Sequence, residues 1–111
     1  MCRALRVLCA APDRERLLAL KRATVSAQWE LVGGACSLDE LVSQVDGVAP
    51  DVVVIDAGIG PHAASRVREH RATARIVSVG GPMRGADAHV GSGAVREAIM
   101  GVPPVGGPVR S

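Results

Sequence analysis

Asp56 is the residue best placed for chemistry. It closes the run Pro50-Asp51-Val52-Val53-Val54-Ile55-Asp56, and Ala57-Gly58-Ile59-Gly60-Pro61 turns the chain at once. Successive β-branched residues leave no polar side to face water, so the run reads as a central strand of a parallel sheet, covered on both faces. The carboxyl end of such a strand is where ligands usually bind in an open α/β sheet. Taken by itself, a carboxylate there caps the turn or helix that follows.

Other patterns compete for chemistry. Gly58-Ile59-Gly60-Pro61-His62-Ala63 fits G-x-G-x-x-A, a spacing that can bring a phosphate to a helix N-terminus. It follows the third predicted strand rather than the first, no acid ends the next strand to hold ribose hydroxyls, and Asp56 would repel a phosphate. A tight turn is therefore favoured, with a nucleotide or similar small ligand at the sheet switch point as an alternative. Arg66, Arg68, Arg71 and Arg75 form a basic cluster. Glu69 interrupts it and no aromatic residue is at hand for base stacking, so it reads as a solvated helix face and not as a nucleic-acid site. His62, His70 and His89 have no nucleophile at a recognisable spacing, and no enzymatic activity is expected. Cys2, Cys9 and Cys36 are odd in number, form no Cys-x-x-Cys and have no histidine at ligand spacing. They read as free thiols of a reducing compartment rather than a metal site.

These residues must be positioned by a small domain. The chain has 111 residues, 48% of them hydrophobic, with a net charge of +2 and Trp29 as its lone aromatic. That suits one compact aliphatic core and gives no charge argument for nucleic acid. The start, Met1 to Arg6, is too short and charged for a signal peptide, and no apolar run reaches membrane-spanning length. A cytoplasmic domain over residues 1–102 is expected, with a Pro/Gly-rich tail over 103–111.

The elements alternate. Arg6–Ala10 predicts a strand and Asp13–Ser26 a helix, with Leu17, Leu18 and Leu20 inward and Arg14, Glu15, Arg16, Lys21 and Arg22 mostly outward. Trp29–Val32 predicts a second strand, ended by Gly33-Gly34. Ser37-Leu38-Asp39-Glu40 is a capping box, and Leu38, Leu41, Val42 and Val45 form the stripe of a second helix, ended by Gly47. A third helix is expected over Pro61–Ala72 and a fourth strand over Arg75–Val79. The run Gly80 to Asp87 is too rich in Gly and Pro for a helix. It is also short for a parallel crossover, so a strand at Ala88–Val90 could run either way or not form. Ala94–Met100 predicts a last short helix. The pattern implies a three-layer α/β/α domain with a central parallel sheet.

Three stretches resemble the receiver domains of two-component response regulators: Trp29 to Leu41, Pro50 to Asp56, and Gly85-Ala86-Asp87-Ala88-His89-Val90. The resemblance implies a flavodoxin-like fold of strand order 2-1-3-4(-5), with the fourth helix largely deleted. It makes Asp56 the phosphoacceptor-like residue. It also marks departures. The family's Mg²⁺-holding acids correspond to Ala11 and Pro12, its hydroxyl after the fourth strand to Gly80 and its lysine after the fifth to Ser92. Asp13, one step late, is expected to cap a helix. Asp56 is thus expected to stand without metal-holding or charge-balancing neighbours.

These departures imply a signalling or interaction module that is not conventionally phosphorylated and needs no cofactor. The alternative is a phosphorelay receiver in which Asp13 and Asp56 hold Mg²⁺. The lost helix further implies exposed apolar surface or an open edge around Val77 to Val90, and hence a protein partner or a homodimer.

Overall fold

The computed structural model describes residues 5–101; Cys2 and the tail at 103–111 lie outside them. The strands are β1 (Leu5–Ala10), β2 (Trp29–Ala35), β3 (Val52–Asp56), β4 (Arg75–Val79) and β5 (Ala88–Val90). The helices are α1 (Arg14–Thr24), α2 (Leu38–Val48), α3 (Ala63–His70) and α4 (Val95–Gly101), with 3₁₀ turns at Ala57–Ile59 and Ser92–Ala94. The sheet order is β2-β1-β3-β4-β5 and every pairing is parallel. The order matches expectation, and β5, whose direction the sequence leaves open, runs parallel.

The apolar run of β3 is divided between the two faces. Val52 and Val54 join Val7, Cys9, Val77, Leu17 and Leu20 of α1, and Ile99 of α4. Val53 and Ile55 join Leu8, Ile76, Leu41 and Val45 of α2, and Val67 of α3. With helices on both faces, strand alternation has no polar side, which explains the unbroken hydrophobic sequence.

Local chemistry sets most element ends. Asp13 caps α1, its Oδ1 accepting from the Arg16 amide at 2.8 Å. At the other end of α1, Arg96 of α4 donates to the Val25 and Arg22 carbonyls at 2.6 and 2.9 Å. A cation there satisfies orphan carbonyls and opposes the negative end of the helix dipole. Ser37 accepts from the Glu40 amide at 3.2 Å, and the Glu40 carboxylate reaches back to the Cys36 amide at 2.7 Å.

Several expectations need correction. Leu18 is 50% exposed, because the buried stripe of α1 is Leu17, Leu20 and Thr24. α1 ends at Thr24, not Ser26. β2 does not stop before Gly33-Gly34 but runs to Ala35. Leu31 pairs with Val7 and Gly33 with Leu8, so Val32 is the extra residue of a bulge. The two glycines serve close approach: a Cβ on Gly33 would collide with Gln44, and one on Gly34 would stand 2.7 Å from Lys21 Cε. α2 runs through Gly47 and closes on Ala49 in the left-handed region. α3 is shorter than Pro61–Ala72, since residues 57–59 form a 3₁₀ turn and Gly60 takes φ 137°.

No helix lies between β4 and β5. Arg68 fastens the loop instead. It donates to the carbonyls of Gly85, Ala72 and Ala74 at 2.9, 3.2 and 3.4 Å and pairs with Asp87 at 2.7 Å. The other Asp87 oxygen accepts from the Ile76 amide at 2.8 Å, and the Asp87 amide donates to Ile76 O at 2.7 Å. Gly85 sits at φ 92°, which only glycine adopts without strain. Met83 and Ala86 then pack on the α2/α3 side of the core. No bared apolar face opens around Val77 to Val90: none of the exposed large hydrophobic residues falls there, and Met83, Ala88 and Val90 are partly buried. What stays open is the edge of β5, a strand of three residues.

Two outcomes follow. Arg68→Ala is expected to lower unfolding stability by about 2 kcal/mol, because it strands Asp87 and three carbonyls. Arg66→Ala, which breaks only an exposed pair with Glu69, should stay within about 0.5 kcal/mol of wild type in the same urea titrations. The second concerns Cys9, which is fully buried. Burial pushes its thiol up from 9.0 to about 11, with a Thr24 hydrogen bond and the Lys21 charge opposing. The unfolded chain gives up this proton first. Stability should fall as pH rises from 9.0 toward about 11, and Cys9→Ala should remove that part of the slope in pH-dependent denaturation.

Candidate functional site

The site is built at the carboxyl ends of β1 and β3. Asp56 is the last residue of β3, in register with Val79 of β4. Its backbone is still extended, and the 3₁₀ turn starts at Ala57. One carboxylate oxygen, Oδ1, accepts from the Gly58 amide at 2.8 Å and lies 3.8 Å from Arg16 Nη1. Asp56 is thus the cap of the turn that follows it. The Asp56 side chain is 22% exposed and that of Arg16 59%.

Arg16 corrects the picture of an acid without charge-balancing neighbours. It sits in the first turn of α1, and Asp13 fixes that turn by holding the Arg16 amide. Gly58 makes room for the guanidinium: a Cβ there would stand 2.7 Å from Arg16 Nη1 and 3.2 Å from Pro12 Cγ. The turn that resembles a phosphate-binding loop is packed against the start of α1 at this point. Nothing local in the sequence aims Arg16 at Asp56 rather than at solvent; the direction comes from how α1 lies on the sheet.

The remaining site positions are short of oxygen. Ala11 is fully buried, and its amide extends the sheet by donating to Ala35 O at 3.0 Å. Pro12 has no side-chain ligand, and one Asp13 oxygen is engaged on α1. Mg²⁺ takes near-octahedral oxygen coordination, usually from more than one acidic or phosphate group plus water. Asp13 and Asp56 each have an oxygen committed to a backbone amide, and the donor set does not fit the ion. Among the described residues no three His, Cys, Asp or Glu side chains converge as metal ligands.

After β4, Gly80 has no side chain to offer, and its amide donates to Val90 O at 2.9 Å. Ser78, two residues earlier, is buried and donates to Gly81 O at 2.7 Å. Ser92 begins the 3₁₀ turn before α4. A cavity of about 100 Å³ lies beside Asp56, lined by Arg16, Ala19, Leu20 and Val79.

The other candidates are dispersed. Of the basic cluster, Arg68 holds the β4–β5 loop and Arg71 donates to Pro50 O at 2.8 Å, so both serve structure. His70 meets the Asp46 carboxylate at 3.1 Å, joining α3 to α2. His62 makes no capping hydrogen bond to α3, and His89 is exposed on β5. No helix among the described residues is long and apolar enough to cross a membrane.

No protein-family model matches this sequence, and no curated protein is significantly similar to it. Solved structures are similar. The receiver domain of the response regulator NarL from Mycobacterium tuberculosis superposes with a TM-score of 0.73 at 17% identity, over 89% of this chain and 95% of that one. The receiver domain of an HD domain-containing protein from Pseudomonas fluorescens Pf-5 gives 0.76 at 13% identity, over 90% and 94%. The chain has the receiver fold. A third receiver-fold match is a CheX–CheY–beryllofluoride–Mg²⁺ complex from Borrelia burgdorferi, with a TM-score of 0.74 at 17% identity over 88% of each chain. Within the receiver fold, Asp56 closes the third strand of the 2-1-3-4-5 sheet.

Its capping role is separable by mutation. Asp56→Ala is expected to cost about 1 kcal/mol of stability through the lost Gly58 hydrogen bond. Asp56→Asn keeps an acceptor oxygen and should stay within about 0.5 kcal/mol, as should Arg16→Gln, whose pair is exposed. Urea denaturation of the three variants checks the order.

Proposed function

We propose that this chain is a receiver-type signalling module that works through protein contact, with Asp56 serving as a charge-paired structural cap and not as a site of Mg²⁺-dependent phosphoryl transfer. One observation carries the reading: Asp56 Oδ1 is already engaged by the Gly58 amide and faced by Arg16. Phosphoryl transfer to a carboxylate rests on metal and cationic groups that spread the charge of the moving phosphoryl. Arg16 is one cation, largely exposed and 3.8 Å away, and such a pair is weak in water. The positions that the family resemblance gives to metal ligands and to a phosphate-binding hydroxyl are Ala11, Pro12 and Gly80, which have no polar side-chain atom.

The fold supports the signalling half of the reading. In the Borrelia complex a receiver is bound to a second protein, with beryllofluoride and Mg²⁺. The present chain keeps the scaffold, and on this reading Ala11, Pro12 and Gly80 offer neither group a side-chain ligand. A partner of such a module recognises a surface whose shape is set by the fold and does not wait for a phosphoryl group.

Beryllofluoride with Mg²⁺ tests this directly in amide chemical-shift titrations. The expected result is no saturable shift at Ala11, Asp13 or Asp56 to Gly58. A saturable response centred on Asp56 would contradict the reading and favour the phosphorelay alternative.

A further inference from the structure

A second recess lies on the opposite flank of α1, between that helix and the end of β2. It is an open recess of about 430 Å³, lined by Arg14, Leu17, Leu18, Lys21, Gly34, Cys36 and Glu40. This volume falls in the ordinary range for a small organic ligand. From its charges and its apolar wall we infer that the recess binds a small organic anion, a carboxylate on an apolar body, independently of whatever happens at Asp56.

Two cations face the recess without a partner of their own. Neither Arg14 nor Lys21 makes a side-chain hydrogen bond or ion pair among the described residues. Lys21 is not simply waving in solvent. Its terminal atoms lie against Gly34, such that a Cβ on that residue would stand 2.7 Å from Cε and 2.9 Å from Nζ. The glycine in β2 therefore lets the ammonium settle on the strand, while Arg14 lines the same recess about two turns earlier on α1.

The one opposing charge has a structural duty. Glu40 turns Oε1 onto the Cys36 amide at 2.7 Å, in the capping box at the start of α2. There the positive end of the helix dipole favours the carboxylate, which is held in place as a structural group. Two cations thus share the recess with one carboxylate, and the surplus is positive.

Two leucines give the recess an apolar side. Leu18 is 50% exposed, one of three large hydrophobic residues of the described chain left so open. It stands beside Leu17 on the same recess. A ligand with a hydrocarbon body would cover Leu18 while its carboxylate meets Lys21, with Arg14 able to add a forked pair of hydrogen bonds. A bare inorganic anion would leave that wall in water, and an organic cation would meet two like charges.

Titration of the 111-residue chain with hexanoate, hexylammonium and inorganic phosphate, followed by amide shifts, tests the inference. Hexanoate is expected to give saturable shifts at Arg14, Leu18, Lys21, Gly34 and Cys36. Lys21→Gln should weaken hexanoate about fivefold or more. Arg14→Gln, a change at an exposed position, should weaken it in the same direction. Asp56→Asn should leave it unchanged, which separates this site from the reading of Asp56. Absence of saturable hexanoate shifts, equal binding of hexylammonium or phosphate, or undiminished binding by both charge variants would each overturn the proposal.

Discussion

The structure depends on keeping β3 dry on both faces. Val52 to Ile55 are essentially inaccessible to water, and no strand of that composition persists beside solvent. The α1/α4 side meets the need with helices. The α2/α3 side has an α3 of only eight residues and no helix between β4 and β5. Its cover is completed by a loop that carries Met83 and Ala86 onto the core. A loop has few hydrogen bonds of its own, so its position must be held by side chains. Arg68 and Asp87 hold it, which is why a cation of α3 is turned inward to carbonyls instead of outward to water.

The same economy operates at the carboxyl end of the sheet. Asp13 caps α1, the capped turn places Arg16, and Arg16 faces the carboxylate that caps the turn after β3. Three side chains thereby join the start of α1 to the end of β3 where the resemblance to receivers leads one to look for a metal ion. α1 also presents Arg14 and Lys21 to the recess beside β2, so one helix lends cations to two separate places. The glycines mark the close approaches: Gly58 beside Arg16, Gly34 beneath Lys21 and Gly33 against Gln44.

Much of this was legible beforehand, and the boundary has a physical cause. The β3 run, the Ser37–Glu40 box and the cap at Asp13 are local patterns, and each forms as its spacing implies. Strand order and the absent helix were readable from the resemblance and from the Gly/Pro content of residues 80–87. The missing parts are tertiary. Gly33-Gly34 looks like a strand terminator because a glycine pair usually breaks structure; here it admits side chains from both faces. Leu17, Leu18 and Leu20 are adjacent in composition, and only the seating of α1 decides that Leu18 faces out. Arg16 and Arg68 have long, flexible side chains on helices that look solvated, and their aim depends on neighbours far away in sequence. β5 could be placed but not oriented, since eight loop residues carry no signal for direction until Arg68 is known to hold them.

The central claim is that the Asp56 carboxylate is committed to the Gly58 amide and Arg16 and does not gather a divalent ion. Paramagnetic broadening by Mn²⁺, a substitute for Mg²⁺ at oxygen sites, measures this at each amide without any phosphate analogue. The account predicts no selective loss of the Ala11, Asp13, Asp56, Ala57 and Gly58 signals at low millimolar Mn²⁺. Selective broadening centred on Asp56, relieved by adding Mg²⁺, would contradict it.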